Sequence, residues 1–285
     1  MIIREAYAQG SADLKFAGIK TPGLDASILL AYVLKINSTA LVAEGTKKIS
    51  DKHCEEFCSL VERRAGGECI AYITGKKEFR DLEFTVNKSV LVPRPDTETL
   101  VEVVLEIFSA KICEKPRTVL DLCTGSGAVA ISLKHEMPEL DVYATDISAE
   151  ALKVAQFNET KLLGGNKIHF YLGDLFSALP KPAAYSLIVS NPPYIPSSEI
   201  QTLSAEVQNE PVLALDGGSS GLEIIKRIIN EAPDYLEQGG VLALEADPRQ
   251  MKEINILLDK SGYTSVKLYN DLSGSQRVIT GKYEK

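Results

Sequence analysis

The stretch Thr118-Val119-Leu120-Asp121-Leu122-Cys123-Thr124-Gly125-Ser126-Gly127-Ala128 decides the fold of this chain. Residues 119–122 form a short apolar run interrupted by one acid, residues 124–127 a tight polar turn, and residues 128–133 an apolar helix start. That is strand, glycine turn and helix in immediate succession. Downstream the alternation continues: a strand over 141–145 ends at Asp146, and Ser148-Ala149-Glu150-Ala151 opens a helix. A third strand over 168–172 ends at Gly173-Asp174, and a fourth spans 185–189. Residues 221–236 read as a helix, 240–244 as a fifth strand and 251–259 as a helix. Two strand-like runs, 265–269 and 277–281, close the chain around Ser273-Gly274-Ser275. Such alternation requires an α/β, Rossmann-like, mostly parallel sheet with helices on both faces, and the two closing strands predict an antiparallel edge.

Upstream of this sheet the pattern is helical. Thr21-Pro22 places a cap before a first-turn proline, Ser50 opens a helix, and Gly66-Gly67 closes it. Residues 1–75 therefore read as a small helical domain suited to substrate recognition. Ala71-Tyr72-Ile73-Thr74-Gly75, followed by alternating Leu82, Phe84 and Val86, suggests a short hairpin, so 76–95 is assigned as a hairpin linker and 96–285 as the main domain. Val92-Pro93-Arg94-Pro95-Asp96-Thr97-Glu98 precedes a helix with Leu100, Val103, Val104 and Ile107 on its apolar face. Two prolines set the approach to that helix and hold a loop at its start.

The composition of the 285 residues is that of an ordinary globular protein, 45% hydrophobic and 25% charged. A net charge of −8 shows no basic footprint of a nucleic-acid binder. No apolar run reaches membrane-span length, and Met1-Ile2-Ile3-Arg4-Glu5 leads into polar residues, so a cytoplasmic place is expected; a monomer is the separate expectation for its assembly. Five cysteines, an odd number, argue against a disulfide framework. Cys54 and Cys58 beside His53 fit an apolar helix stripe with Phe57 and Val61, and no second ligand pair follows at zinc spacing, so no metal is expected.

In a doubly wound sheet the ligand lies beyond the carboxyl ends of the strands. Gly125 and Gly127 let a ligand approach the backbone at a helix N-terminus. Asp146, about twenty residues on, suits ribose hydroxyls. Asp174 is placed to accept from an adenine amino group, with Leu175 beside the ring. After the fourth strand stands Asn191-Pro192-Pro193-Tyr194. Two prolines remove two backbone donors and leave a wall of carbonyl acceptors; Asn191 adds an amide and Tyr194 a flat face. A planar NH2 group fits such a wall. The glycine loop also matches a dinucleotide fingerprint, which keeps a nicotinamide-dependent oxidoreductase in competition. The fourth strand favours methyl transfer to an NH2 nitrogen instead, since His53, His135 and His169 all fall away from the strand ends.

These motifs resemble the protein N5-glutamine methyltransferases that modify release factors. The resemblance spans nearly the whole chain: Arg63-Arg64, Ala71 to Gly75, Pro93 to Glu98, Asp121 to Gly127, Ser190 to Ile195, Glu210-Pro211, Gly217-Gly218 and Arg277. Cys69 and Cys123 depart from it, standing where the family often has proline and glycine. The resemblance implies a class I S-adenosylmethionine-dependent methyltransferase sheet, S-adenosylmethionine as donor, and as acceptor the glutamine of the Gly-Gly-Gln motif of peptide chain release factors. It implies Asp121, Cys123, Thr124, Gly125, Ser126, Gly127, Asp146, Asp174, Leu175 and Asn191 around the cofactor. Asn191, Pro192, Pro193, Tyr194 and Arg94 would face the substrate, with Asn191, Pro192 and Tyr194 as the catalytic set. Asn-Pro-Pro-Tyr is shared with adenine-N6 methyltransferases, so adenine N6 in nucleic acid and a non-enzymatic adenosine-binding module remain as alternatives.

Overall fold

The N-terminal helices pack around an apolar core of their own. In the computed structural model, which describes residues 1–109, 117–180 and 184–284, they are α1 (Ile3–Phe16), α2 (Pro22–Leu34), α3 (Ser38–Ala43), α4 (Asp51–Ala65) and α5 (Ile70–Thr74). Leu14, Leu29, Leu30, Phe57 and Val61 are buried at their centre. Pro22 occupies the first turn of α2, but the Thr21 hydroxyl donates to the Asp25 carboxylate at 2.8 Å rather than capping a backbone N–H. Ser50 does cap α4, accepting from His53 N–H at 3.2 Å. The buried stripe of α4 is Phe57, Leu60, Val61 and Arg64, whereas Cys58 is exposed, so the stripe expected through Cys54 and Cys58 is turned by part of a helical period. Arg64 takes its place there because its charge is paired: it donates to Asp25 at 2.7 Å, to Glu68 O at 3.1 Å and to Glu206 at 3.3 Å.

Glu206 belongs to a short helix, Ala205–Gln208, and the compact unit built by these helices comprises Met1–Lys76 together with Ser204–Asn209. Asn209 Nδ2 donates to Gly67 O at 3.2 Å within it. Of residues 71–75, expected as part of a hairpin, Ala71 to Thr74 are helical in α5, and Gly75 caps it. Ala71, Tyr72 and Ile73 are all buried, and the left-handed Gly75 ends the turn.

The second unit comprises Lys77–Leu203 and Glu210–Lys285. A hairpin of β1 (Lys76–Phe79) and β2 (Leu82–Thr85) leads to α6 (Asp96–Ser109). Then come β3 (Thr118–Leu122), α7 (Ala128–Glu136), β4 (Asp141–Asp146), α8 (Ala149–Leu163), β5 (Ile168–Leu172) and β6 (Tyr185–Ser190). The chain closes with α9 (Glu223–Glu231), β7 (Leu236–Glu245), α10 (Met251–Lys260), β8 (Tyr263–Asn270) and β9 (Gln276–Tyr283). The larger sheet has the order β5-β4-β3-β6-β7-β9-β8. β3 to β7 pair in parallel, and β9 runs antiparallel to both β7 and β8. Every residue of β6 is buried, which accounts for its continuous apolar run.

Two boundaries differ from the sequence expectation for local reasons. The helix expected over 221–236 ends at Glu231, because a 3-10 turn over Ala232–Asp234 containing Pro233 breaks it. β7 then begins at Leu236 and passes through an irregular register against β6 before Val241. The closing strands pair antiparallel as expected, with β9 beside β7 and β8 at the edge.

Asn158 of α8 ties the small hairpin to the glycine turn. It accepts from Thr85 N–H at 2.8 Å and donates to Thr85 O and Ser126 O, each at 3.0 Å. Three of its hydrogen-bonding positions are thus used in the interior, where an unpaired amide is costly.

Candidate active site

A cavity of about 450 Å³ opens at the carboxyl ends of the parallel strands. Of the residues singled out in the sequence, Asp121, Cys123, Thr124, Gly125, Ser126, Asp146, Asp174, Leu175, Asn191, Pro193 and Arg94 line it. Gly127, Pro192 and Tyr194 do not: Gly127 sits at the N-cap of α7, Pro192 is buried, and Tyr194 packs against the core of the sheet. The cavity sits at the switch in strand order, where β3 has β4 on one side and β6 on the other.

Asp146 organises the turn as well as facing the cavity. Its Oδ2 accepts from Gly125 N–H at 2.8 Å and its Oδ1 from Ser148 N–H at 2.9 Å. The Ile147 N–H also acts on this carboxylate, which with about four acceptor positions still has capacity for a ligand hydroxyl. Asp121, 1% exposed, accepts from the Thr124 hydroxyl at 2.6 Å and from Ala130 N–H at 3.3 Å. Burial nevertheless pushes its carboxyl up to about 7, against those two bonds. Cys123 adopts a left-handed backbone conformation, φ 59°, one that a glycine would take without strain. Burial raises its thiol, so it is a small neutral group in the wall. Leu175 is also left-handed at φ 48°, and strained backbone of this kind concentrates at ligand sites.

At the other side of the cavity, Asn191 donates from Nδ2 to Thr97 Oγ1 at 3.1 Å. The Asn191 carbonyl oxygen then lies on the opposite branch of the amide. Arg94 pairs with the buried carboxylate of Glu210, which also accepts from Val92 N–H at 3.1 Å, so the proline-bracketed loop is anchored. Gly217 explains why a glycine follows: a Cβ there would come within 2.8 Å of both Pro193 O and the Tyr194 Cα. Gln250 Nε2 donates to Tyr194 O at 2.9 Å and fixes the end of the motif.

Three side chains here escaped the sequence reading. Arg227 of α9 lines the cavity and forks onto Asp174, with bonds of 2.8 and 3.2 Å. Nothing in its helical surroundings marked it, because the pairing spans fifty residues of chain. Thr97 lay inside a quoted motif but read as helix start. Ile147, 53% exposed although apolar, presents an open face beside Asp146, where the acid was taken as the whole signal.

The residues fit an S-adenosyl ligand: the glycine turn is open, since a Cβ on Gly125 would meet nothing within 4 Å, and two carboxylates with free lone pairs flank it. The sheet also parts from dinucleotide-binding folds. Those keep their sixth strand parallel at the edge, whereas here a reversed strand is inserted before it. Fold and cavity together define a class I S-adenosylmethionine-dependent methyltransferase.

Residues 5–75 match the family model described as PrmC N-terminal domain, and residues 96–208 the one described as Methyltransferase small domain. The release factor glutamine methyltransferase of Escherichia coli (strain K12) is 37% identical over 281 residues, covering 99% of this chain and 97% of the relative. That of Coxiella burnetii is 42% identical over 280 residues and 98% of each chain. Among solved structures, a methyltransferase from Pyrococcus furiosus superimposes with a TM-score of 0.53 at 21% identity, over 79% of this chain and 98% of its own, a likeness of fold. The chain belongs to the release factor glutamine methyltransferase family.

Proposed function

We propose that this chain methylates the side-chain amide nitrogen of the glutamine in the Gly-Gly-Gln motif of peptide chain release factors, acting as a cytoplasmic monomer. The observation that carries this reading is the Asn191–Thr97 hydrogen bond, which turns the Asn191 carbonyl away from Thr97. When bound, S-adenosylmethionine supplies an electrophilic methyl group. Asp146 suits its ribose, Asp174 its adenine amino group, and the turn over 124–127 its remaining length.

An amide nitrogen is a poor nucleophile because its lone pair is shared with the carbonyl. Asn191 Oδ1, which faces the cavity, and the backbone carbonyl of Pro192, whose residue is buried behind the cavity wall, are the two acceptors assigned to its hydrogens, and together they fix the direction of the nitrogen. Orientation of this kind supplies up to about 7 to 11 kcal/mol of barrier reduction. As positive charge grows on nitrogen, the same two carbonyl dipoles stabilise it without reorganising. The methylated nitrogen is acidic and sheds a proton to water, so no buried base is required. Tyr194, with its hydroxyl held neutral by burial, serves the motif by packing.

The helical unit over 1–76 carries no comparable chemistry, and its proposed task is to select the protein substrate. Nucleic acid is disfavoured as acceptor by the net charge of −8, since phosphate neutralisation needs clustered Lys and Arg. The test offers labelled S-adenosylmethionine with release factor, with release factor whose motif glutamine is replaced by alanine, and with DNA. Label should enter the first alone. Entry into DNA, or equal labelling of the glutamine-free release factor, refutes the assignment.

A further inference from the structure

Between Asn191 and the end of β7 the side chains leave the Asn191 amide one orientation. Thr97, buried in the first turn of α6, accepts from Asn191 Nδ2 at 3.1 Å. Its hydroxyl has one hydrogen to give. The helix α6 packs against β7, which sets Thr97 beside the side chain of Glu245, the last residue of β7 and 1% exposed. Among the described residues, Oε2 of that carboxyl is buried without a hydrogen-bond partner, an arrangement that calls for a reason.

The charged groups facing Glu245 do not supply one. Arg277 of β9 is engaged by Asp96 at 3.1 Å and Asp271 at 3.3 Å, and Arg94 by Glu210. These two cations, Asp96 at the start of α6 and Tyr194 after β6 are the charged and titratable groups whose fields reach it. Both cations are already paired. An acid kept in such a place destabilises the fold when ionised, which points to a use in the site.

We propose that Glu245 and Thr97 are positioning residues for methyl transfer: the Glu245 carboxylate takes the Thr97 hydroxyl hydrogen, Thr97 Oγ1 takes a hydrogen from Asn191, and Asn191 Oδ1 is left facing the acceptor amide. The inference rests on the reading of Asn191 given above. A flipped Asn191 would set its NH2 against the acceptor NH2, donor against donor, and lose the orientation. Burial pushes the Glu245 carboxyl up to about 7. Once protonated it donates to Thr97, whose own hydrogen turns to Asn191 and favours the flipped amide. Ionised Glu245 is therefore the active form, and the rate rises with pH through its titration.

The test is the single-turnover rate on a release factor with S-adenosylmethionine saturating, beside donor affinity by calorimetry. Thr97→Val, nearly isosteric, should slow methyl transfer by about 10- to 100-fold, the cost of a displaced reacting group, with donor affinity within about two-fold. Thr97→Ser should restore most of the rate, because it restores the hydroxyl. Glu245→Gln keeps an acceptor that does not titrate, so the ratio of its rate to the parent's should climb as pH falls through about 7. Taking the ratio cancels the titration of Asp121 in the same range. A parent-like rate for Thr97→Val, or a rate ratio flat from pH 6 to 8, overturns the relay. Asn191→Ala separates the two levels. If it too is parent-like, the reading of Asn191 has failed; if it is slow while Thr97→Val is not, the relay alone has failed.

Discussion

Arg227 Nη2 lies 2.8 Å from Asp174 Oδ2, and Arg227 Nη1 lies 3.2 Å from Asp174 Oδ1. The fork fixes the plane of the carboxylate that borders the cavity, and leaves each oxygen a further lone pair. Both side chains are more than 40% exposed, 42% and 46%, so the pair contributes little to folding. Its effect should fall on the ligand.

Arg227→Ala is expected to weaken S-adenosylmethionine binding by about five-fold or less, the scale of an exposed ion pair, with little change in Tm. Asp174→Ala should weaken it further, since it removes the acceptor itself. Calorimetry measures both. Unchanged affinity in a folded Asp174→Ala would remove Asp174 from the adenine side.

Asp146 gives a sharper contrast. Both of its oxygens accept from backbone N–H groups, at Gly125 and Ser148. Asp146→Asn is therefore not conservative: its NH2 would oppose one of those donors. Donor affinity should drop by more than about ten-fold in Asn and Ala variants alike, because a buried donor left without an acceptor costs about 1–3 kcal/mol. Parent-like affinity in Asp146→Asn would show that the turn is held by other contacts.

The sheet was legible because three of its parallel strands, β4, β5 and β6, are ended or closely followed by a residue whose chemistry differs from the run before it. Asp146, Asp174 and Asn191 stand one after another at carboxyl ends, and all three line one cavity. Less was legible where tertiary context overrides local pattern. Residues 71–75 look β-branched and aromatic, yet they close a helical turn whose buried positions are consecutive. The order of the last two strands rests on a crossover that no local signal carries. Thr97 and Arg227 act through partners 94 and 53 positions away, beyond any window of sequence spacing.

Cys123 offers a test of backbone strain. With φ at 59°, a side chain costs about 1–2 kcal/mol there. At an ordinary site glycine is less stable than alanine; at this one Cys123→Gly should melt at or above Cys123→Ala. A lower Tm for the glycine variant would mean that the turn relaxes around a side chain.

Glu245 and Asp121 make a joint prediction about pH and stability. Burial raises their carboxyls from ordinary values of 4.5 and 3.8 to about 7 each. Between those limits the folded chain binds more protons than the unfolded one, so their contribution to stability falls as pH rises from about 4 to 7. Replacing one with a neutral isostere removes part of that loss. The Tm of Glu245→Gln relative to the parent should be higher at pH 8 than at pH 5. A difference that is constant with pH would mean that Glu245 titrates as an ordinary carboxyl.

The most direct measurement is the single-turnover rate of Asn191→Ala on a release factor at saturating S-adenosylmethionine, with folding checked by thermal melting. Loss of one preorganised transition-state contact predicts a fall of about 100- to 1,000-fold, with donor affinity held within a few-fold. Near-parental turnover in the folded variant would contradict the account and reduce Asn191 to the cap of a strand-ending turn.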